Sequence, residues 1–239
     1  MVSAGVTNPG RVRSYNEDAF LDAPDRHLWV VADGMGGHSA GDLASAMIVE
    51  RMGKVRPDAD MASFVDTVDH ELSAVNEDLR KHAKERNVSL IGATVVAMLG
   101  GNDFAAIGWA GDSRVYRFAG GKLQRMSRDH STAQELMDTG QFSAAQLAGK
   151  QQGNTITRAV GGEPSLFLDW VVAAIEPGTQ FMLCSDGLTK EVPEPKIEEE
   201  FKKGLPPKEL ADVLLQAALA AGGRDNVTVV VVRAEGLAK

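Results

Sequence analysis

A single cysteine, Cys184, occurs among the 239 residues of the chain, so an intramolecular disulfide is excluded. A chain without disulfides suits a reducing compartment, and we therefore expect a cytoplasmic protein. Positive charge is also scarce: the chain has 25 Lys and Arg but 33 Asp and Glu, which gives a formal net charge of -8. This acidic balance argues against nucleic acid or an anionic membrane surface as the main partner.

Long hydrophobic runs are missing as well. No apolar stretch approaches the roughly 20 residues that a membrane-spanning helix needs. The first residues, Met1 to Val6, have neither the basic nor the apolar segment of a signal peptide. We therefore expect no membrane insertion. Hydrophobic residues make up 44% and charged residues 24% of the chain, which is ordinary for a globular protein. The simplest interpretation is one domain over residues 1–239, and a monomer.

Helical periodicity is confined to a few segments. Apolar residues at helical spacing predict one amphipathic helix around Leu43 to Met52, a second around Phe64 to Leu79 and a late one over 207–221. Between them lie short β-rich runs, several of them almost continuously apolar and therefore expected to be covered on both faces. These runs are Leu28 to Ala32, Ala93 to Leu99, Phe104 to Trp109, Arg114 to Phe118, Phe167 to Ala173, Gln180 to Cys184 and Asn226 to Val232.

Turn residues at hairpin spacing, at 100–103 and 119–122, favour antiparallel neighbours. Because regular strand-helix-strand alternation is missing, the pattern indicates an α+β fold rather than a doubly wound sheet. Residues 131–155 differ from their surroundings, being polar and rich in Gln, Ala and Gly. We interpret them as a short surface flap, with two helix-like pieces around Glu135 and Ala145.

Aspartates stand beside glycine or asparagine at the ends of several β-like runs. The segments are Asn16-Glu17-Asp18, Ala32-Asp33-Gly34, Gly111-Asp112-Ser113, Ser185-Asp186-Gly187 and Arg224-Asp225-Asn226. One Asp-Gly pair alone is most simply a turn. Carboxylates at the ends of several strands can instead converge, and such a cluster needs cations to offset its repulsion. Hard oxygen ligands suit Mg²⁺ or Mn²⁺.

The same segments belong to a longer ordered set of motifs. The chain carries Arg13-x-x-Asn16-Glu17-Asp18, Val31-Ala32-Asp33-Gly34-Met35-Gly36-Gly37-His38, Gly92-Ala93-Thr94, Gly111-Asp112-Ser113-Arg114, Asp129-His130-Ser131, Thr157-Arg158-Ala159-Val160-Gly161, Cys184-Ser185-Asp186-Gly187-Leu188 and Arg224-Asp225-Asn226-Val227-Thr228. This set resembles the metal-dependent protein phosphatases of type 2C, and especially the small bacterial members. The resemblance extends over nearly the whole chain.

The resemblance implies a four-layer α-β-β-α sandwich, in which two central antiparallel β-sheets are flanked by helices. It further implies that Asp33, Asp186 and Asp225 bind a first Mn²⁺ or Mg²⁺, and that Asp33 bridges to a second ion. The second ion also takes the Gly34 carbonyl, and Glu17 and Asp18 orient bound waters. Asp112, together with Asp186, matches the position of a third and weaker ion in bacterial members.

The resemblance also implies the reaction. A water that bridges two ions about 3.5 to 4 Å apart attacks a phosphoserine or phosphothreonine directly, without a phosphoenzyme. Arg13 matches the phosphate-binding arginine, and its guanidinium suits two phosphate oxygens. Thr94, Arg158 and Asn226 are expected to support the site through hydrogen bonds, whereas Asp129-His130 is interpreted as structural, with the histidine paired to local backbone near the flap. The family's proton donor is a histidine beside the bridging aspartate, where this chain has Met35, so His38 is the nearest candidate.

Three other functions compete with a metal-dependent phosphatase. A cysteine-dependent phosphatase needs an Arg six residues after its Cys, where this chain has Lys190. A nucleotide-binding loop would need a lysine after its glycines, which 34–37 lacks. The alternative from another class is a catalytically silent phosphoprotein-binding module of the same fold. As partners, the resemblance implies phosphorylated proteins and a bacterial Ser/Thr kinase of the eukaryotic type. The flap lacks the usual His-Pro before its last strand, so substrate preference is the least transferable feature.

Overall fold

The fold is known from a computed structural model that describes residues 1–36, 40–140, 142–143 and 155–235. Its strands are β1 (Val2–Asn8), β2 (Asp18–Ala23), β3 (Leu28–Met35), β4 (Gly92–Ala93), β5 (Val95–Gly100), β6 (Phe104–Ala110), β7 (Arg114–Ala119), β8 (Lys122–Arg125), β9 (Asp169–Ala174), β10 (Gln180–Cys184) and β11 (Val227–Arg233). Its described helices are α1 (Gly41–Met52), α2 (Met61–Glu85), α3 (Thr132–Asp138), α4 (Asp186–Thr189), α5 (Glu194–Lys202) and α6 (Pro207–Ala221), with a 3-10 turn at Pro24–Arg26.

Two antiparallel sheets form the centre of the molecule. Sheet I has the order β1-β11-β10-β7-β8, and sheet II has the order β2-β3-β5-β6-β9, with β4 paired to β3. The two ends of the chain meet in sheet I, where Val2 pairs with Arg233 and Asn8 with Val227. In sheet II, the consecutive strands β5 and β6 form a hairpin, in which Val95 pairs with Ala110 and Gly100 with Ala105.

Alternating side chains divide the apolar residues among three layers of core. On β3, Trp29 and Val31 face the space between the sheets, where they pack with Val96, Phe181 and Val230. Their neighbours Leu28, Val30 and Ala32 face outward and are covered by apolar residues of α1 and α2. Strand β11 repeats this division, because Val227, Val229 and Val231 pack against α6 and its neighbours. The predicted four-layer α-β-β-α sandwich is confirmed.

Within the described residues, the predicted helices and strands are found, with two kinds of difference. The run from Ala93 to Leu99 is broken at Thr94, because β4 pairs with β3 and the Thr94 amide donates to the Asp33 carbonyl oxygen at 2.9 Å. In addition, β1, β2, β8, α4 and α5 were not predicted. No helix in the described part of the chain has the length and hydropathy that crossing a membrane requires.

Candidate metal centre

The aspartates singled out in the sequence lie within strands or within a few residues of strand ends. Asp33 on β3 stands opposite Asp18 on β2, in the register that pairs the two strands. Asp112 lies between β6 and β7, Asp186 begins α4 directly after β10, and Asp225 precedes β11. Asp33 is close enough to the other four aspartates for their negative charges to raise its pKa. We call these five residues the carboxylate cluster.

Burial and mutual repulsion raise the pKa values of Asp18, Asp33, Asp112 and Asp186. Burial is the largest cause for each of the four, and the charge of neighbouring aspartates adds to it. It raises the pKa of Asp18 from 3.8 to about 7, that of Asp112 from 3.8 to about 7, and that of Asp33 well above its ordinary value. The pKa of Asp186 is also raised. A buried group of carboxyls that resists ionisation in this way must bind either protons or cations at neutral pH.

Asp18 is held by hydroxyl groups from the opposite sheet. Its Oδ2 accepts hydrogen bonds from Ser185 Oγ at 2.8 Å and Thr228 Oγ1 at 2.7 Å. Its Oδ1 is buried and has no hydrogen-bond partner within the described residues, and the same is true of Asp112 Oδ1. Unpaired buried carboxylate oxygens are costly unless something else binds them. These two oxygens fit the hard donor set that Mg²⁺ and Mn²⁺ prefer.

Gly34 lies where backbone segments approach closely. A Cβ added at this position would lie 2.1 Å from the Gly41 carbonyl oxygen and 2.6 Å from that of Glu17, so no side chain fits. The Gly34 amide also donates to the Glu17 carbonyl oxygen at 3.1 Å. The structure therefore brings Gly34 and Glu17 together, beside Asp33 and Asp18.

Asn226 ties the loop between β1 and β2 to the cluster. Its Oδ1 accepts from the Glu17 amide at 2.8 Å. Its Nδ2 donates to the carbonyl oxygens of Pro9 at 3.0 Å and Tyr15 at 2.9 Å. Three hydrogen bonds from one buried side-chain amide thus hold the segment that carries Arg13, Glu17 and Asp18.

Thr94 has a comparable place behind Asp33. Its hydroxyl accepts from the Asp33 amide at 3.3 Å and shares a hydrogen bond of 2.7 Å with Ser113 Oγ. Gly111, which precedes Asp112, has a φ of +118° and passes so close to Thr94 that a Cβ would lie 2.5 Å from the Thr94 Cβ. Thr94 therefore connects the backbone of Asp33 to the turn that carries Asp112.

Two basic side chains of the chain itself enter the cluster. Arg13 makes a two-pronged contact with Asp225, with Nε 2.9 Å from Oδ1 and Nη2 3.1 Å from Oδ2. The ammonium of Lys190 pairs with Asp186 Oδ2 and lies 3.9 Å from Asp225 Oδ2. As the side chains stand, the described residues contain no group of three or more His, Cys, Asp or Glu that could hold one metal ion.

Arg158 and His130 both contact the carboxylate of Asp169. Arg158 Nη1 is 2.6 Å from Asp169 Oδ1, and His130 Nε2 is 3.2 Å from Asp169 Oδ2. His130 Nδ1 accepts from the Gly111 amide at 3.1 Å, so the ring donates its proton from Nε2 to Asp169. Burial lowers the pKa of His130, which keeps the ring neutral. The neighbouring Asp129 is paired with Arg114, at 2.6 Å.

The remaining sequence predictions fall partly outside the described residues. His38 lies outside them, as does the flap piece around Ala145. The first flap piece is α3, which Ser131 caps by accepting from the Gln134 amide. Cys184 is buried in β10, and burial raises the pKa of its thiol to about 12, which does not suit a nucleophile.

Sequence reasoning gave no role to Lys190, Ser185, Thr228 or Asp169. Lys190 could have been found, since its spacing of four from Asp186 places the two side chains on one face of a helix. Ser185 and Thr228 lie within the motifs of Asp186 and Asp225, but their own residue types indicate no particular role. The sequence carries no signal for a role of Asp169, because nothing in its neighbourhood distinguishes it from a surface residue of a strand.

Comparison with known proteins identifies the family of the chain. A family model described as protein phosphatase 2C matches residues 11–221. The serine/threonine phosphatase Stp of Listeria welshimeri is 33% identical over 234 residues, which cover 95% of this chain and 93% of that protein. The solved structure of PppA, described as a key regulatory component of T6SS in Pseudomonas aeruginosa, has a TM-score of 0.90 and 39% identity, covering 97% of this chain and 96% of that one. The catalytic domain of the phosphatase PstP in complex with two manganese ions has a TM-score of 0.87 and 29% identity, covering 98% of both chains.

Proposed function

The chain belongs to the protein phosphatase 2C family of metal-dependent serine/threonine phosphatases, and we propose that its carboxylate cluster is the active site. Phosphorylated proteins are the substrates, and phosphoserine or phosphothreonine loses its phosphate. A catalytically silent module of the same fold is not supported, because the named relatives are phosphatases. The observation that carries the proposal is the pair Asp18 and Asp112 within the cluster, because burial raises the pKa of each to about 7 and each presents a buried carboxylate oxygen without a hydrogen-bond partner among the described residues.

For the metal sites we propose Asp33, Asp186 and Asp225 as ligands of one divalent cation, and Asp33 with the Gly34 carbonyl as ligands of a second. Glu17 and Asp18 would orient water beside them, and the Asp112 side is a candidate position for a third cation. The ions, when bound, supply positive charge for the phosphate oxygens and make water acidic enough to act as a nucleophile. Mn²⁺ and Mg²⁺ both suit this all-oxygen site, and the manganese in the PstP relative favours Mn²⁺.

The groups of the chain then have separate tasks. Arg13 is proposed to bind the substrate phosphate, because its guanidinium is more than half exposed and can exchange Asp225 for phosphate oxygens. Asn226 and Thr94 hold the segments that carry Glu17 and Asp33, and Arg158 holds the Asp169–His130 pair. His38 stays our proposed proton donor to the departing serine or threonine oxygen.

We further propose a cytoplasmic monomer, one phosphatase domain over its whole length, that opposes a bacterial Ser/Thr kinase of the eukaryotic type. The likeness to PppA favours control of a T6SS as the setting. Deleting the gene should then raise threonine phosphorylation on T6SS components, and unchanged phosphorylation would exclude that setting.

The test of the reaction is hydrolysis of a phosphothreonine peptide with EDTA, Mg²⁺ or Mn²⁺. We expect activity only with metal, and at least about a 100-fold loss of kcat in Asp186→Asn and Asp225→Asn. Asp103→Asn is the matched control, since Asp103 is exposed at the β5–β6 turn and outside the cluster. A folded protein that binds Mn²⁺ yet cleaves no phosphopeptide would overturn the proposal.

A further inference from the structure

Lys190 places a positive charge inside the carboxylate cluster. It directly follows α4, four residues after Asp186, and its side chain turns back along that helix toward the aspartate. The ammonium pairs with Asp186 Oδ2 and lies 3.9 Å from Asp225 Oδ2. One lysine thus stands close to two of the proposed metal ligands.

The same ammonium also borders the Asp112 side of the cluster. A cavity of about 180 Å³ is lined there by Asp112, Asp186 and Lys190 together with Arg114 and Asp129. Asp112 Oδ1 is buried and has no hydrogen-bond partner among the described residues, so it presents an open donor. The ammonium of Lys190 brings positive charge to this cavity. Arg114 contributes less to this side, because its guanidinium is engaged by Asp129 through contacts of 2.9 and 2.6 Å.

We propose that Lys190 is a tethered cation that takes the Asp112–Asp186 side of the cluster in place of a divalent ion. This inference rests on the proposed function, because it concerns the metal content of the same site. An ammonium in contact with a carboxylate offsets its charge and repels a divalent cation that approaches within a few ångströms. The chain then binds two divalent ions firmly and leaves the third position too weak to fill at the concentrations that saturate those two, so Lys190 is a positioning residue that sets the metal stoichiometry.

The experiment counts Mn²⁺ ions per chain by equilibrium dialysis with metal analysis, and measures their affinities by calorimetry. We expect two ions for the wild-type protein. In Lys190→Met, which keeps the length of the side chain but not its charge, we expect a third ion, bound at least about 10-fold more tightly than any third ion in the wild type. Lys190→Arg should behave as the wild type, and Lys190→Met combined with Asp112→Asn should return to two ions.

Lys208→Met is the matched control, because Lys208 pairs with Asp212 at the same spacing of four on α6, away from the cluster. It should leave the count at two. An unchanged count and affinity in Lys190→Met would overturn the inference while leaving the phosphatase proposal intact. So would a wild-type protein that binds three ions and loses one in Asp112→Asn, a test that holds even if Lys190→Met does not fold. A folded wild-type protein that binds no Mn²⁺ would instead remove the proposed function on which the inference rests.

Discussion

Arg13 enters the cluster from the exposed loop between β1 and β2, and both of its contacts are with Asp225. We expect Arg13→Ala to lower kcat/KM for a phosphopeptide by about 10- to 100-fold, mainly through KM, because a two-pronged guanidinium–phosphate contact is lost. The affinity for Mn²⁺ should not fall, since removal of the guanidinium leaves Asp225 free for the metal. Steady-state kinetics and a Mn²⁺ titration measure the two effects separately.

Arg11 provides the control for Arg13, because it is an exposed arginine in the same loop. Arg11→Ala removes the same charge and should leave KM nearly unchanged. Arg13→Lys keeps the charge but loses the planar fork, so its KM should lie between those of the wild type and Arg13→Ala. Equal effects of Arg11→Ala and Arg13→Ala would show that only the overall charge of the loop matters.

Thr228 controls how readily Asp18 ionises. Its hydroxyl and that of Ser185 donate to Asp18 Oδ2, and both hydrogen bonds lower a pKa that burial has raised to about 7. Thr228→Val keeps the shape but removes one donor, so the pKa of Asp18 should rise further. We expect the acid limb of the pH profile of kcat/KM to move to higher pH. A profile that keeps its position while the maximum rate falls would contradict this role.

At the scale of single residues, the sequence indicated the aspartates but not what surrounds them. Asp18 is 167 residues from Ser185 and 210 from Thr228, so no local pattern could pair them. The contact of Lys190 with Asp186 is local and could have been predicted, whereas its approach to Asp225 depends on how α4 packs beside the last strand. Residue type and local spacing therefore predicted the chemistry of the site, while its electrostatics required the fold.

Among the elements, the loop between β1 and β2 depends most on one side chain, that of Asn226. We expect Asn226→Ala to lower the free energy of unfolding by about 2 kcal/mol, because three hydrogen bonds are lost and the Glu17 amide loses its acceptor. Amide hydrogen exchange in residues 9–17 should become faster by a larger factor than in the core strands. Chemical denaturation and exchange mass spectrometry measure these changes.

Asn16 is the matched control for Asn226, since it lies in the same loop and its Nδ2 makes a hydrogen bond of 2.8 Å with Thr7 Oγ1. Asn16→Ala should cost less stability and should leave the exchange of the Glu17 amide nearly unchanged. If both variants speed exchange equally, Asn226 has no special part in holding the loop.

The strands that sequence reasoning missed share a position in the fold. Strands β1 and β8 are the edges of sheet I, and β2 is an edge of sheet II. Edge strands are covered less completely, so they lack the continuous apolar runs by which β3, β5 and β11 were predicted. The helix α5 was missed for a similar reason: its sequence is highly charged, and the apolar residues it buries are Ile197 and Phe201.

For the whole molecule, the order of elements predicted an α+β fold, but the four layers came only from the family resemblance. The layering requires pairings such as β1 with β11, which join the two ends of the chain. Such contacts are far apart in sequence, and hydrophobic periodicity carries no information about them. The continuously apolar strands did indicate burial on both faces. Such burial is expected when each sheet is covered by the other sheet on one face and by helices on the other.

The stability of the whole protein should depend on pH and metal together. Asp18 and Asp112 have pKa values raised from 3.8 to about 7, so the folded metal-free protein binds more protons than the unfolded chain between these values. Their contribution to stability is therefore present below about pH 4 and is lost as the pH rises through about 7. In EDTA, the melting temperature should fall between about pH 5.5 and about pH 8, and Asp112→Asn should flatten part of this fall because it removes one of the groups whose pKa is raised.

Mn²⁺ should raise the melting temperature more at about pH 8 than at about pH 5.5, since the ion replaces protons on the same oxygens. Calorimetry at both pH values, with and without Mn²⁺, measures this difference, and a metal effect that is equal at the two pH values would contradict the linkage.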